Sequence, residues 1–289
     1  MHPTSPSALP NPRTPEPVPA NLQPDQDAAR WDRHAAAYEA VFENLTDPIA
    51  AQALDLLEPL GGTRLLDLAA GAGGAALQAA ARGAHVTAFD ASAAMVTRIR
   101  ARSAIGSAIE AEQVDARLPL PRPDGAFDAA LSCFGVVILP DPVPALRELH
   151  RVLRTGGRLA VATWTEPGRY ELAVRLWAAV ERVRGVPPPA GPVPAQLRYT
   201  APDALATLLG AGGFEVASIT QVEAKLRAAS ARSLAAALDF APGMAALLAG
   251  LGPDRAAVEA AFAEALEADQ GHGRVALAAV AQIGLAIRV

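Results

Sequence analysis

The segment 64–90, RLLDLAAGAGGAALQAAARGAHVTAFD, leaves this chain few ways to fold. Residues 64–68 make an apolar run with an acid, Asp67, near its end. The loop that follows, Ala69-Ala70-Gly71-Ala72-Gly73-Gly74, carries almost no side-chain bulk, so a ligand can approach the backbone itself. Residues 75–82 then read as a helix whose first N–H groups point back into the loop. Residues 85–89 read as the next buried parallel strand, closed by Asp90. Asp90 stands about 20 residues past the loop, where an acid holds a ribose hydroxyl pair. This succession predicts a doubly wound α/β sheet that binds a nucleotide-like cofactor at its glycine loop.

Two ligand classes fit the loop. Gly71-Ala72-Gly73-Gly74-Ala75-Ala76 satisfies G-x-G-x-x-A, a dinucleotide fingerprint, and would make the chain an NAD(P)-dependent oxidoreductase. Asp67 opposes that reading, because it sets a negative charge beside a pyrophosphate. A ligand with an ammonium group and no phosphate, such as S-adenosylmethionine, suits it better. A non-catalytic cofactor-binding protein would keep the same loop.

Further along, residues 109–114 read as a third strand ending at Asp115-Ala116. Then come Arg117-Leu118-Pro119-Leu120 and Gly125-Ala126-Phe127-Asp128, which opens a fourth strand at 129–133. The ordered set resembles class I S-adenosylmethionine-dependent methyltransferases. The segment 134–142 and the stretch 146–159, LRELHRVLRTGGRL, are similar to the type 11, small-molecule branch of that family. The likeness is close over about residues 31–164 and looser beyond. It implies a Rossmann-like seven-stranded sheet with S-adenosyl-L-methionine as cofactor. It also implies that Tyr38, Asp67, Ala69, Gly71, Gly73, Asp90, Ala91, Asp115, Ala116 and Cys133 hold that cofactor, with Asp115 accepting from the adenine amine. Phe134, Val137 and Trp164 then wall the acceptor pocket, with Tyr38 at the methionine end. One departure is Ala69, which stands where the family loop usually has its first glycine. Its methyl group is tolerated at negative φ.

Composition narrows the partners. At 289 residues and 51% hydrophobic, the chain can bury one α/β core with added elements. A net charge of −5 with no basic stripe argues against nucleic acid. Lys225 is the only lysine, and the arginines 147, 151, 154 and 158 read as a solvated helix face, as does His150. Cys133 is the only cysteine, so no intrachain disulfide forms and a reducing, cytoplasmic setting is expected. The first 24 residues hold eight prolines and no apolar block, which reads as a disordered tail and not a signal peptide. No run approaches the ~18 apolar residues of a membrane helix. Monomer and homodimer both stay open.

The domain assignment is therefore a tail, 1–24, and one methyltransferase domain, 25–289. Within it, 25–60 are cap helices, 61–165 the cofactor-binding core and 226–272 a helical insertion. In the first cap helix Ala28, Trp31, Ala35, Tyr38 and Phe42 recur at steps of three and four. Asp47-Pro48 reads as the N-cap and first turn of a second helix. His34 reads as a surface residue. Past a strand at 158–164, helices are expected at 169–184 and 201–209, with the proline loop 186–194 between them. Strands follow at 215–222 and 275–289, and the helical insertion between them is expected to fold over the strand ends as a substrate lid. No catalytic triad is found, and none is required: methyl transfer from a sulfonium mainly needs alignment, with a general base only for a poorly acidic acceptor. No metal site is read. The acceptor's nature, oxygen, nitrogen or carbon, is not written in these motifs.

Overall fold

A computed structural model of the chain describes residues 22–103, 108–187 and 193–289. The proline-rich tail up to residue 21 and the middle of the 186–194 loop lie outside the described residues. Seven strands form one sheet: β1 Arg64–Leu68, β2 His85–Asp90, β3 Ile109–Gln113, β4 Phe127–Cys133, β5 Leu153–Trp164, β6 Glu215–Ala228 and β7 Val275–Ile287. Their order is β3-β2-β1-β4-β5-β7-β6, and β7 alone runs antiparallel to its neighbours. The chain leaves β1 toward β2 on one side, and β4 flanks β1 on the other. The carboxyl ends of β1 and β4 therefore border the crevice where doubly wound sheets bind ligands.

Strand alternation divides the core into two layers. Leu65 of β1 packs on one face with α2 (Glu43–Leu56), α3 (Gly74–Ala81) and α4 (Ala93–Arg102). Leu66 and Leu68 face the opposite layer with α5 (Val143–Val152) and α7 (Pro202–Ala211). The first layer also takes α6 (Glu171–Arg184) and the insertion helices α8 (Ala231–Ala235), α9 (Pro242–Gly250) and α10 (Arg255–Gln270). Phe262 and Leu266 of α10 are fully buried there. The insertion is thus rooted in the core along one side.

Several local expectations are corrected. β6 continues to Ala228, so the insertion starts after residue 228 and not at 226. The extra residues pair one for one with β7, from Glu223↔Val280 to Ala228↔Val275. Exposed Glu223, Lys225 and Arg227 alternate with buried Ala224 and Leu226, and this half-polar edge hides the strand from an apolar-run search. β5 likewise starts at Leu153, with a register shift in β4 between Phe127 and Ala129.

Asp47 is no N-cap. Helix α1 (Ala28–Ala37) passes through a π-helical turn, Tyr38–Phe42, directly into α2, which contains Pro48. The wider turn re-aims Tyr38 and Phe42, and such turns recur at functional sites. The arginines are not simply solvated either. Arg151 is paired with Glu148 and Asp124, and Arg158 donates to the carbonyls of Leu57 and Glu58. His150 packs edge-on against Phe214 at 5.2 Å, and burial lowers its pKa. His34 is partly buried, its Nδ1 lying 2.8 Å from the Asp239 carbonyl.

Candidate active site

The loop between β1 and α3 is held open by backbone conformations that little but glycine adopts. Gly71 has φ 57° and Gly73 has φ 94°. A Cβ on Gly73 would press to 2.9 Å from Ile99, and one on Gly71 would meet the Tyr38 ring at 3.5 Å. Ala69 sits at φ 58°, which overturns the negative φ expected for it. A left-handed alanine costs about 1 kcal/mol, a strain the surrounding loop has to hold. Phe134, just past β4, is also left-handed at φ 63°. A Cβ on the following Gly135 would overlap the Ala69 methyl group. The two strand ends meet there, and Ser132 Oγ bridges them, donating to the Leu68 carbonyl at 2.8 Å and accepting from the Val136 N–H at 3.0 Å.

Three carboxylates flank this loop. Asp90 Oδ2 accepts from the Gly71 N–H at 2.8 Å and Oδ1 from the Ser92 N–H at 2.8 Å, so it braces the loop from the end of β2. Burial pushes its pKa up to about 6. Asp115, after β3, is gripped by the Arg117 guanidinium at 2.6 Å and accepts from the Arg117 N–H at 2.9 Å. Burial opposes its ionisation, but those bonds hold its pKa below the usual carboxylate value. Asp67 is 1% exposed, and its Oδ2 has no hydrogen-bond partner. Burial, with the Asp90 charge behind it, pushes its pKa up to about 7.

A cleft of about 1280 Å³, its open mouth included, lies at these strand ends. At one end it meets Gly71, Asp90, Ala91, Asp115 and Ala116; Ala69 and Cys133 line it as well. Its other wall is aromatic. Trp164 lies between Phe134, with centroids 4.2 Å apart, and Tyr170, 5.1 Å away, and Phe42 stacks on Phe240 at 4.6 Å. Phe240, Ala241 and Met244 of the insertion complete that wall. The segment 23–26 crosses the cleft as a strap. Asp25 Oδ1 accepts from the Gly243 N–H at 2.7 Å, Gln26 Nε2 donates to the Ile138 carbonyl at 2.8 Å, and Gln23 is bonded to Val193 and Ala195.

Behind Tyr38, Ala69 and Cys133 lies a smaller polar pocket lined by Asp67, Glu43 and Asp47. Asp47's pKa is pushed up to about 6 by burial and by the neighbouring Glu43 charge. Arg102 donates to Glu43 at 2.8 Å. Among the described residues no cluster of His, Cys, Asp and Glu has a metal-binding arrangement.

The structure therefore brings Tyr38, Ala69, Gly71, Asp90, Ala91, Asp115, Ala116, Cys133, Phe134 and Trp164 to one cleft. Asp67 stands behind it, and Gly73 shapes the loop from the N-cap of α3. Val137 is a correction: it is fully buried against α5 and α7, and the turn after β4 offers Ile138 and Leu139 to the cleft instead. Sequence reasoning missed Asp25, Tyr170, Gln196 and Met244. Each lies on a connection or an insertion, where no periodicity marks a residue as facing a ligand.

Comparison with known proteins follows the same span. The methyltransferase domain family matches residues 66–161. An uncharacterized protein of Mycobacterium tuberculosis is 37% identical over 134 residues, which is 46% of this chain and 48% of that protein. The demethylmenaquinone methyltransferase of Thermus thermophilus is 35% identical over 180 residues, covering 57% of this chain and 80% of the relative. The chain spans about half the length of the first curated relatives it matches. Among solved structures, the [4+2]-cyclase SpnF superposes with a TM-score of 0.57 at 24% identity, over 94% of this chain and 98% of that one, a likeness of fold.

Proposed function

The chain belongs to the class I S-adenosylmethionine-dependent methyltransferases, and on that premise we propose that it transfers the methyl group of S-adenosylmethionine to a small-molecule acceptor seated at the aromatic end of the cleft. The observation that carries this reading is the single cleft joining the acids at the ends of β2 and β3 to the aromatic wall. Residues present suit the cofactor. In this reading Asp90 takes the ribose hydroxyls and Asp115, with the Ala116 backbone, the adenine. The buried, partnerless Asp67 Oδ2 calls for a donor such as the methionyl ammonium. The Gly71 backbone, free of any Cβ, allows close approach beside Tyr38.

The bound sulfonium supplies a methyl group already activated for displacement. The protein's task is then to align the acceptor with it and keep water out, and alignment alone is worth ~7–11 kcal/mol. Phe134 and Trp164 fix the acceptor plane, while Met244, Phe240 and the 23–26 strap close the cleft as a lid. A largely apolar cleft of this kind fits a secondary metabolite. Asp67 disfavours a dinucleotide, whose phosphates would meet a buried acid. Calorimetry tests the reading: S-adenosylmethionine and S-adenosylhomocysteine bind, NAD does not, and the reverse pattern overturns it.

A further inference from the structure

In the proposed pose Asp90 and Asp115 read the ribose and the adenine, and those parts are common to S-adenosylmethionine and the adenine nucleotides. Discrimination therefore falls to the 5′ side of the ribose, at the turn from β1 into α3. There Gly71-Ala72-Gly73-Gly74-Ala75-Ala76 keeps the dinucleotide fingerprint. A helix N-terminus in that place is an anion seat, because its free N–H groups carry partial positive charge. In this chain the seat is taken. Glu43 of α2 reaches across, and its Oε1 accepts from the N–H of Gly74, the first residue of α3, at 3.1 Å. Asp47, one turn further along α2, presses on the same turn: a Cβ on Gly74 would come within 2.3 Å of its Oδ1.

Helix capping alone does not call for this arrangement. Caps are commonly neutral and local, a Ser or Asn just before the helix, whereas here the N-cap is Gly73 and a carboxylate 31 residues away does the work. Glu43 is 6% exposed, so its charge is costly to bury. Arg102 offsets that cost, donating through Nη1 to Glu43 Oε1 and to the Ala72 carbonyl, both at 2.8 Å. What a carboxylate adds over a neutral cap is repulsion of another anion. The next helix repeats the pattern. Asp32 of α1 sets its Oδ1 against the N-terminus of α4, accepting from the Ala94 N–H at 3.0 Å and from the Ser92 hydroxyl at 2.6 Å. Ser92 donates its N–H to Asp90, so this second carboxylate stands beside the ribose acid, on the side where a 2′-phosphate would lie. Both acids come from the cap helices, outside the strand–helix–strand units whose helix ends they cover.

We infer that the cap helices exclude phosphate-bearing nucleotides from the cofactor site, with Glu43 filling the anion seat of α3 against a 5′-phosphate and Asp32 that of α4 against a 2′-phosphate. This assigns the exclusion to two residues outside the core sheet, and it rests on the cofactor reading. The 5′ substituent of S-adenosylmethionine carries a net positive charge, whereas that of ADP is strongly negative. The same adenosyl site therefore stays open to the first and closed to the second.

The test compares the full chain's affinities for adenosine, ADP and adenosine 2′-monophosphate by calorimetry, with S-adenosylhomocysteine as the control for an intact site. The unsubstituted chain should bind adenosine about 10-fold or more tighter than either phosphate. Glu43→Gln keeps an oxygen for the Gly74 N–H and leaves the Arg102 charge without its nearest carboxylate. It should narrow the gap between adenosine and ADP by about 10-fold, the worth of one partly buried unit charge, and leave the 2′-monophosphate gap alone. Glu43→Ala, which vacates the seat, should narrow the ADP gap at least as far. Asp32→Asn, at an exposed position where salt screens the charge, should narrow the 2′-monophosphate gap by about 3-fold and leave the ADP gap alone. A purely structural role would weaken adenosine, ADP and S-adenosylhomocysteine together and leave the ratios fixed. ADP binding as tight as adenosine before substitution, or an ADP ratio unmoved in both Glu43 variants, overturns the inference at α3. An unmoved 2′-monophosphate ratio in Asp32→Asn overturns it at α4. Failure of S-adenosylhomocysteine and adenosine to bind the unsubstituted chain removes instead the cofactor reading beneath it.

Discussion

Asp67 and Asp90 both titrate above the ordinary carboxylate range, at about 7 and about 6. A raised folded-state pKa means that the native protein binds these protons more tightly than the unfolded chain. The stability they contribute is complete below about pH 4 and is lost as pH rises through 6 and 7. The melting temperature of the ligand-free protein should accordingly fall between pH 5 and pH 8, and a flat or rising profile from thermal scans contradicts the assignment. A cationic ligand group beside Asp67 favours its ionised form, so cofactor binding near pH 6.5 should release protons, read as a dependence of calorimetric heat on buffer ionisation enthalpy. Asp90→Ala should weaken binding more than Asp115→Ala, by about 1 kcal/mol. Asp90 also braces Gly71 and in the proposed pose takes two hydroxyls, whereas Asp115 is already held by Arg117. Equal losses in a titration would show the ribose misplaced. Ala69→Gly, which relieves a left-handed alanine, should raise stability by about 0.5–1 kcal/mol, checked by urea unfolding.

The insertion between β6 and β7 combines two roles that mutations should separate. Phe262 is fully buried among core residues, so Phe262→Ala should cost about 3–5 kcal/mol of stability. Met244 lines the cleft and is only partly buried, so Met244→Ala should leave the melting temperature nearly unchanged and alter acceptor affinity. Removing residues 1–22 should not change S-adenosylhomocysteine affinity, but removing 1–26 should reduce it, because Gln23, Asp25 and Gln26 tie the strap across the cleft. Equal affinities of the two truncations would show that the strap does not cover the site. The elements legible in the sequence were those with strong local signals: the seven strands, the glycine loop and the acids at the ends of β2 and β3. The continuous helix through Pro48 was not, because Asp47-Pro48 is a good helix start by local rules, and packing of Leu45, Ile49 and Leu54 overrides it. Gln196 and Asp25 were invisible for a related reason. Their environment is set by segments 170 residues apart in sequence, as in the bond from Gln23 to Val193.

At the scale of the molecule, one sheet brings the glycine loop and the acids after β2 and β3, which the sequence names in order, to the same cleft as an aromatic wall of which the sequence names Tyr38, Phe134 and Trp164 and the fold adds Tyr170 and Phe240. Because a fold of this kind also carries a [4+2]-cyclase, architecture alone does not establish methyl transfer. The most direct measurement incubates the full chain with methyl-labelled S-adenosylmethionine and a small-molecule extract of its native host, followed by mass spectrometry. The account predicts a labelled low-mass product carrying one added methyl group, formed in equal amount with S-adenosylhomocysteine. Firm binding of S-adenosylmethionine with the label retained entirely in the cofactor would contradict it.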